Sequence, residues 1–592
     1  MDAPQINNHV TAMARYVPTG AASDQLYDEH VAEHPFALET QSLKTLSEML
    51  EEAHAPPSVI FLTGDAGHGK TYMCRRILTS VLGISTSDAF EWISGVGGPC
   101  RADGSADFGR LPSGNQLRIV KDLSDFDIES GRAVLSAALG AADRTTIVCA
   151  NEGRLRVALL HQKDDHFEAA RAGVNRALAD GTTRSGGLAV LDLNKQAVAG
   201  APNNLVHRVL EAWAGDGRRW RACGTCTCAP TCPIRANRML LGDDAGSEKR
   251  RSAFSSVIRL AEAAGTVVTV RDMIATVALA LTGGITCSEV HKKQNARYGW
   301  QAQHVFFEVL FGHGLRREVR RQMRLIHFLS TVDPGRVALR AVDDDLVVRA
   351  EGDGSPVYAF WPVDPVTLDR AARSAKEAAR LAEDERTLVR FLRRAAVFDV
   401  EDPSAIAERM GFQFAREFTV VAQGQDPSET VDVRNRLLAG LEVIQGLRRP
   451  TSGNRFMIVD PAFGSNGVAR VIARAFSSTE VSVRSASETW QATTSVDIAD
   501  AVDWVDRRVI LAIGRDGHQV AIGLVEFEFL MRASRGMAVS GFFEGTVRRL
   551  RAGLARIADG ATTEDAVIRV AMDGDVREVV IDVDGRLVSG EG

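Results

Sequence analysis

Apolar and polar stretches alternate along the first half of the chain and predict strands that alternate with helices. Apolar, β-branched runs at 59–62, 117–120, 145–150 and 188–193 are typical of buried strands. Stretches between them have helical spacing, as do the leucines before the first strand. Strands that alternate with helices indicate a three-layer α/β fold with a parallel sheet.

The length and the changes of pattern predict several domains, because 592 residues are too many for one core. The glycine-rich region 94–114 has little apolar content and is expected to be a surface loop. Between 337 and 360, alternating residues predict a hairpin. The predicted segments are an N-terminal helical segment (1–55), an α/β core (56–252) with a cysteine-rich insertion (215–240), a helical lid (253–335), a hairpin plus helical domain (336–450) and a C-terminal α+β domain (451–592).

A glycine-rich stretch after the first strand is the clearest chemical signal in the chain. It fits the P-loop pattern G-x-x-x-x-G-K-[ST] between a strand and a helix. Its glycines allow backbone N–H groups to curl around a phosphate, and the helix N-terminus adds partial positive charge. Lys70 is expected to contact the phosphates of ATP, and the Thr71 hydroxyl to ligate Mg²⁺. The predicted nucleotide-binding residues are Gly64, Asp65, Ala66, Gly67, His68, Gly69, Lys70 and Thr71.

Polar residues at the ends of the next two strands are candidates for the catalytic part of such a site. Asp122 ends the second strand, where an aspartate of a P-loop enzyme holds Mg²⁺ directly or through water. The glutamate that often follows this aspartate is missing, so Asp125 or Glu152 would have to activate water. Asn151 could orient that water, cap the following helix, or do both. The missing glutamate puts fast hydrolysis in doubt, but not nucleotide binding.

Two arginine-bearing stretches further along could also reach phosphate. Arg271 lies in the first turn of a predicted helix, where the helix dipole disfavours a cation. It could therefore point at phosphate in the neighbouring domain, or be exposed or paired locally. Residues 315–324 predict a basic helix face. This face could supply an arginine finger to a neighbouring subunit, bind a phosphate backbone, or simply be solvated.

Four closely spaced cysteines predict a metal site. Their spacing, C-x2-C-x-C-x3-C, is not that of a standard paired zinc knuckle, but thiolates this close can converge on a tetrahedral ion. Zinc is the favoured ion, and an iron–sulfur cluster or unliganded redox thiols are the alternatives. Because closed four-thiolate sites are structural, no catalysis is expected there. The predicted ligands are Cys223, Cys226, Cys228 and Cys232.

Composition and charge narrow the class of protein further. The chain has 45% hydrophobic and 25% charged residues, as ordinary globular proteins do. Its net charge of −6 argues against a uniformly basic nucleic-acid-binding surface. No secretory signal is visible at the N-terminus, and the longest apolar run, near 273–281, is too short to span a bilayer. We therefore expect a cytoplasmic protein without membrane contact.

The 64–71 loop, the strand ending in Asp122, residues 151–154, the cysteine cluster and the helix start at 270–272 together resemble a known family. The chain is similar to the ATPase component (F protein) of DNA phosphorothioation-dependent restriction systems. More broadly it resembles the AAA+ and STAND-like ATPases of bacterial antiphage defence. The similarity covers roughly 55–290. It implies an AAA+-like P-loop NTPase sheet with a helical lid, in which Asn151 and Arg271 resemble the sensor-1 and sensor-2 positions.

The resemblance implies an ATP-binding and ATP-hydrolysing subunit that gates or powers a partner effector, such as a nuclease, acting on foreign DNA. A homo-oligomer and contact with double-stranded DNA are expected with it. Two other hypotheses stay open. The missing glutamate favours a signalling NTPase that oligomerises with nucleotide, and the basic 316–324 face favours a DNA-binding scaffold with little hydrolysis.

Overall fold

The computed structural model divides the chain into two compact units, each of which is described by itself. The first contains Met1–Glu262, Thr266–Gly411 and Thr493–Val505, and the second contains Ala263–Gly265, Phe412–Ala492 and Asp506–Gly592. The residues that the structure describes are 5–18, 39–51, 56–94, 105–141, 143–160, 164–180, 183–185, 187–200, 204–294, 296–297, 299–338, 343, 360–363, 372, 374–402, 405–422, 427–447, 455–461, 470–485, 508–515, 517–537, 544–558, 567–572, 575–581 and 587–589.

A six-stranded mixed sheet is the centre of the first unit. Its strands are β1 (Val59–Thr63), β2 (Ser105–Arg110), β3 (Gln116–Val120), β4 (Arg144–Ala150), β5 (Thr183–Ser185) and β6 (Leu188–Asp192). They are arranged in the order β2-β3-β4-β1-β6-β5. The four inner strands are parallel, and each edge strand runs antiparallel to its neighbour. The prediction of an α/β fold with a largely parallel sheet is confirmed.

Strand β1 lies in the middle of this sheet because its side chains can be buried on both faces. All five of its residues are buried, as is typical of apolar, β-branched strands covered on both sides. It pairs in parallel with β4 and β6, and Thr63 lies opposite both Ala150 and Asp192. The carboxyl ends of the three strands therefore lie level at one edge of the sheet.

Helices cover both faces of the sheet and form a three-layer arrangement. Helices α2 to α4 pack with Ile60 and Leu62 on one face, and α5 to α7 pack with Val59 and Phe61 on the other. The helices in this part of the chain are α1 (Asn8–Ala14), α2 (Gln41–Glu51), α3 (Lys70–Ser80), α4 (Thr86–Ser94), α5 (Ile128–Leu139), α6 (Glu152–Leu159) and α7 (Asp165–Asp180).

The glycine-rich region 94–114, predicted as a surface loop, contains a strand. β2 pairs with β3 in antiparallel register, with Ser105 opposite Val120, and the pairing shifts register between Asp107 and Gly109. Apolar content was a poor guide here, because an edge strand is held by backbone hydrogen bonds along one side and needs few buried side chains. The loop prediction is therefore wrong for 105–110.

The rest of the first unit is helical in its described part. Helix α12 (Val270–Thr282) and the short helix after it, α13 (Cys287–Lys292), form a stretch that is long and apolar enough to cross a membrane. However, 72% of its most apolar 18 residues are buried within the protein. It is therefore a core element. The helices are α8 (Leu205–Leu210), α9 (Arg221–Gly224), α10 (Pro233–Arg238), α11 (Ser247–Ala263), α12 (Val270–Thr282), α13 (Cys287–Lys292), α14 (Phe306–Leu310), α15 (Arg317–Gln322), α16 (Arg324–Thr331), α17 (Ala375–Val397) and α18 (Ala405–Arg409).

The predicted basic helix at 315–324 is interrupted. Helix α15 ends at Gln322, Met323 has an extended backbone with φ −98° and ψ 94°, and Arg324 begins α16. Arg324 therefore does not share a helix face with Arg317 and Arg320. The hairpin predicted between 337 and 360 lies almost entirely outside the described residues.

A buried ion cluster fastens α17 to α14 in the first unit. The Arg394 guanidinium donates to both carboxylate oxygens of Glu308, at 2.9 and 3.0 Å, and to both of Asp333, at 2.8 and 2.7 Å. All three side chains are less than 10% exposed. The imidazole Nδ1 of His313 lies 2.8 Å from a Glu308 oxygen. Removing one partner leaves buried charge without compensation, which is costly.

The second unit combines antiparallel sheets with helices. A three-stranded sheet has the order β11-β10-β9, and a five-stranded sheet has the order β14-β13-β12-β8-β7. Buried Glu528 accepts the backbone N–H groups of Gln413 and Phe414 at 3.1 and 2.9 Å. The elements are α19 (Ala415–Ala422), α20 (Pro427–Ile444), β7 (Arg455–Val459), β8 (Arg470–Ser477), β9 (Val481–Ser485), β10 (Arg508–Ile513), β11 (His518–Gly523), α21 (Leu524–Ser534), α22 (Glu544–Ala558), β12 (Val567–Met572), β13 (Asp575–Ile581) and β14 (Leu587–Ser589).

Replacing Arg394 is expected to destabilise the first unit strongly. Arg394→Met leaves two buried carboxylates without their guanidinium, which costs about 3–5 kcal/mol of the free energy of unfolding. The control is Arg386→Met on the same helix, because Arg386 is 62% exposed and pairs with Glu383 at the surface; we expect a change of about 0.5 kcal/mol or less. Urea unfolding followed by circular dichroism measures both. Equal costs in the two variants would contradict the stabilising role of the buried cluster.

Candidate functional site

A crevice forms at the carboxyl edge of the sheet, because the chain leaves two neighbouring strands toward opposite faces. After β1 it enters α3 on one face, and after β4 it enters α6 on the other. Ligands of open α/β sheets bind in the crevice at such a switch point, outside the carboxyl ends of the strands. The segments that border it are the loop between Thr63 and Lys70 and the first residues after β3, β4 and β6.

Three glycines allow the backbone conformation of the loop from β1 to α3. Gly64, Gly67 and Gly69 have φ values of +146°, +100° and +82°, which side-chain-bearing residues rarely adopt. Gly69 is the N-cap residue of α3, and no side chain caps this helix N-terminus. A loop of this kind presents the N–H groups of a helix start, which can bind an anion.

One side of the loop packs against the first turn of α12. The Gly67 carbonyl accepts the backbone N–H of Arg271 at 3.0 Å. A Cβ atom at Gly67 would lie 2.9 Å from the Arg271 Cβ and 3.0 Å from the Thr269 Oγ1, so no larger residue fits without movement. Thr269 and Asp272 form a capping box that fixes this helix start. The predicted helix with Arg271 in its first turn is present, and it meets the loop through its backbone.

The other side of the loop is tied to the turn that follows β6. The Asn194 side-chain oxygen accepts the Asp65 N–H at 2.8 Å, and the Asp192 carboxylate accepts the Asn194 N–H at 3.1 Å. A Cβ atom at Gly64 would lie 3.1 Å from the Leu193 Cβ. The loop is therefore held from two directions.

The side chain of Lys70 folds back onto the loop that precedes it. Its ammonium donates to the carbonyls of Gly64 at 2.7 Å and Asp65 at 3.1 Å. Burial lowers the pKa of Lys70; the negative charge of Asp122 opposes this shift, and the positive charge of Arg271 adds to it. The structure thus brings Lys70, Asp122 and Arg271 close enough to interact electrostatically at the crevice.

Asp122 and Asn151 lie beside each other and both act as helix caps. The Asp122 carboxylate accepts the Ser124 N–H at 2.8 Å, and the Asn151 side-chain oxygen accepts the Arg154 N–H at 2.8 Å. The Asn151 amide also donates to the Ser124 hydroxyl at 3.1 Å. The capping interpretation of Asn151 is therefore observed, and the side chain links the ends of β3 and β4.

Glu152 is already engaged in an ion pair. Its carboxylate lies 2.9 Å from the Arg156 guanidinium one turn along α6, and both side chains are 40% exposed or more. Such exposed pairs are weak, so this carboxylate is not locked in place. Within the described residues, nothing orients it toward Lys70.

Arg324 approaches the loop from α16. Its guanidinium lies 2.7 Å from the Asp65 carboxylate, and both side chains are about half exposed. The hydrogen bond to Asp65 raises the pKa of Arg324, so the group stays charged. A member of the predicted basic stretch, the residue after the helix break, thus lies at the loop, and it is supplied by the same chain.

His68 is buried inside the loop. Its ring is only 2% exposed. Burial lowers its pKa to about 4, and the nearby positive charge of Lys70 adds to the shift. The imidazole is therefore neutral at pH 7 and contributes no charge to the crevice.

Thiols of the cysteine-rich segment lie close to His291, which is 63 positions beyond Cys228. The thiol of Cys228 lies 3.2 Å from His291 Nδ1, and that of Cys226 lies 3.5 Å from His291 Nε2. Together the three form a group that could hold a metal ion. The two thiols approach different nitrogens of the ring, of which only one binds a given ion; with one ligand atom taken from each residue, the three lie within 4.8 Å of one another.

Three more thiols line the same small cavity. They belong to Cys223, Cys232 and Cys287, so the predicted ligands Cys223 and Cys232 lie beside the group without being part of it. The Asn7 amide donates to the Cys223 thiol at 3.3 Å. Burial raises the pKa of Cys232 to about 12, so a thiolate there requires a neighbouring cation. These three thiols are the nearby candidates for a fourth ligand, but none lies within 4.8 Å of all three atoms of the group, so one of them would have to move to join it.

Sequence reasoning did not find Asn194, His291 or Cys287, and it placed Arg324 only in a basic face for a neighbouring subunit or a phosphate backbone. Asn194 follows a buried strand, as Asp122 and Asn151 do, and that position was a usable signal. The position of Arg324 beside the loop and that of His291 beside the thiols carry no local signal, because they depend on the packing of α16 and α13.

The fold and the crevice together define an α/β protein with a glycine-rich loop at its switch point. In comparisons with known proteins, the chain matches no family model, no curated protein and no solved structure. The function proposed below therefore depends on sequence motif and site geometry.

The depressed pKa of His68 predicts a loss of stability in mild acid. The unfolded chain binds a proton near pH 6.5, whereas the folded chain resists it down to about pH 4. The stability is present above pH 6.5 and is lost as pH falls toward 4, by roughly 3 kcal/mol. The unfolding free energy of the wild type should therefore fall more steeply over this range than that of His68→Gln.

Exposed His166 provides the control for this measurement. His166→Gln should keep the wild-type dependence on pH, because this side chain lies on the surface of α7. Parallel curves for the wild type and His68→Gln would show that His68 does not contribute.

Proposed function

We propose that the first unit binds ATP with Mg²⁺ at the loop between Gly64 and Lys70, and that the protein is a slow ATPase. The observation that carries this proposal is the position of the loop. A motif typical of phosphate binding lies at the switch point of the sheet, opens a helix, and is braced on both sides. The sequence motif and the geometry of the loop both support ATP as the ligand.

The surrounding residues suit particular roles. Lys70 would exchange the carbonyls of Gly64 and Asp65 for phosphate oxygens, and the Thr71 hydroxyl and Asp122 would hold Mg²⁺. Arg271 and Arg324 lie on the lid side of the loop and would balance the charge of the outer phosphates. Their placement supports the expectation of a lid that supplies cations.

We expect the protein to hydrolyse ATP slowly. Asn151 is occupied as a helix cap, and Glu152 pairs with Arg156. A strongly placed general base is therefore not apparent among the described residues, and turnover would depend on rearrangement or on a partner. This supports a gating subunit or a nucleotide-dependent switch over a fast motor.

The wider role follows from the resemblance stated in the sequence analysis. We infer an ATPase subunit of a bacterial DNA restriction or antiphage defence complex, which gates or powers an effector such as a nuclease. Binding of double-stranded DNA and homo-oligomer formation belong to the same inference. Measuring the molecular mass with ATP and with ADP distinguishes this role from the alternative of a nucleotide-switched signalling NTPase. Only the alternative requires the oligomeric state to change with the nucleotide.

We also propose that the ion held by Cys226, Cys228 and His291 is structural zinc. The mixture of thiolates and imidazole suits Zn²⁺, and the ligands join the cysteine-rich segment to α13. With a fourth ligand from Cys223, Cys232 or Cys287, the site would be closed and would support folding rather than catalysis.

Removing the Lys70 ammonium should weaken nucleotide binding. In Lys70→Ala we expect the affinity for MgATP, measured by calorimetry, to fall at least tenfold, equivalent to about 1.4 kcal/mol. ATP turnover should fall to background. The control is Lys44→Ala on α2, where Lys44 is 66% exposed, and both affinity and turnover should be unchanged. Unaltered MgATP binding in Lys70→Ala would exclude this loop as the nucleotide site.

Metal content tests the cysteine–histidine group. Elemental analysis of the purified protein should find one zinc per chain, and Cys226→Ser or His291→Ala should lower this value and the melting temperature together. Cys74→Ala is the control, because Cys74 contacts Cys149 inside the α/β core and lies outside this group. A metal-free protein with wild-type stability would contradict the proposal.

A further inference from the structure

A second cavity in the first unit is separate from the residues around the nucleotide loop. It has a volume of about 890 Å³, which lies within the range of small-molecule sites. One wall is formed by α17, and the facing wall is formed by residues 297–313 with contributions from 336 and 362–363. None of its lining residues was assigned a role by the sequence motifs.

The α17 wall is a single stripe of the helix. Arg380, Asp384, Thr387, Arg390 and Arg394 are spaced by three or four residues, so they lie above one another on one face. Three of the five residues are arginine, one is aspartate and one is threonine.

The floor of the cavity is formed by an ion cluster. Buried Arg394 bridges Glu308 and Asp333, and the His313 imidazole lies 2.8 Å from Glu308. Because two carboxylates already bind the Arg394 guanidinium, this arginine is not available to a ligand. The other charged residues of the lining are four arginines and Asp384, so the walls above the floor carry net positive charge.

The arginines above the floor are held loosely. The ion pairs of Arg380 with Asp384, at 3.7 Å, and of Arg390 with Glu383, at 3.9 Å, are longer than hydrogen bonds. Their side chains are 66% and 48% exposed. Arg386 on the same helix instead makes a 2.7 Å pair with Glu383. Exposed long pairs contribute little stability, so these guanidinium groups can turn to a better acceptor at small cost.

Further cations and an aromatic ring complete the opposite wall. Arg336, which is 70% exposed and 3.5 Å from Asp333, and Arg297 line this side. Trp300 also lines the cavity, and the Lys293 ammonium lies 5.4 Å from its ring centre. Planar guanidinium groups bind phosphate in bidentate fashion, and an indole ring can contact a base.

We propose that this cavity binds a phosphate-bearing ligand of nucleotide size, at a site distinct from the loop between Gly64 and Lys70. Arg380, Arg390 and Arg336 bind the phosphates, and Trp300 contacts the ring that carries them. The site does not depend on the proposed ATPase activity, so either proposal can fail without the other.

The test uses full-length Lys70→Ala protein, in which nucleotide binding at the loop is weakened. Pyrophosphate and ADP are titrated separately in a calorimeter, at low and at high potassium chloride. We expect both to bind, and the affinity to fall as salt rises, because the contacts are ionic. Adding Arg380→Glu and Arg390→Glu should weaken both by at least tenfold. Trp300→Ala should weaken ADP alone.

The matched control carries Lys376→Glu in the same background. Lys376 is exposed on α17 and does not line the cavity. Lys376→Glu reverses one positive charge on the same helix, as the test substitutions do. This variant should therefore bind both probes as the Lys70→Ala parent does. Melting curves of all variants establish that each is folded, which is expected because Arg380 and Arg390 are exposed.

Three results would overturn the proposal. They are the absence of binding by both probes at millimolar concentration, binding that survives the double charge reversal, and equal weakening by Lys376→Glu. A twelve-nucleotide single strand of DNA is titrated in parallel. If it binds while pyrophosphate and ADP do not, the cavity is part of a nucleic-acid surface and the nucleotide-sized ligand is excluded.

Discussion

The hydrogen bond from the Arg271 N–H to the Gly67 carbonyl is the constraint on which the arrangement of the crevice depends. Glycine-rich loops are intrinsically free to adopt many conformations, and fixing one costs conformational entropy. Here α12 supplies part of the restraint through backbone contacts, and the absence of a Cβ at Gly67 lets the two segments meet. Asn194 completes the restraint from the opposite side. A loop held in this way is preorganised to bind an anion.

The charges around the loop explain how it stays stable with a buried ammonium group. Lys70 donates to two loop carbonyls, and His68 adds no charge at neutral pH because burial lowers its pKa. Arg324 is balanced by Asp65 at the surface. Lys70 and Arg324 therefore each have an acceptor within the protein. The arrangement differs from the Arg394 cluster, in which two buried carboxylates bind one buried guanidinium.

The parts that sequence predicted well are those set by local pattern. Apolar runs identified β1, β3, β4 and β6, and the rule that parallel strands end at one edge brought Asp122 and Asn151 to the loop. The contact of Arg324 with Asp65 could not be predicted, because the two residues lie 259 positions apart and meet only after a break between two helices. His291 was missed for the same reason, since the cysteine spacing gives no information on a ligand from another helix. Strand β2 was missed because pairing at a sheet edge requires little apolar surface.

Helix α12 has a mechanical consequence that follows from its two ends. Its 13 residues span about 20 Å, with the glycine loop at its first turn and the turn leading to α13 at its last. That turn is rigid, because a Cβ atom on Gly283 would overlap the His304 carbonyl, and the His304 imidazole contacts the Gly283 carbonyl at 2.8 Å. The helix therefore links the glycine loop at one end to the turn before α13 at the other, and α13 carries His291 of the thiol–imidazole group.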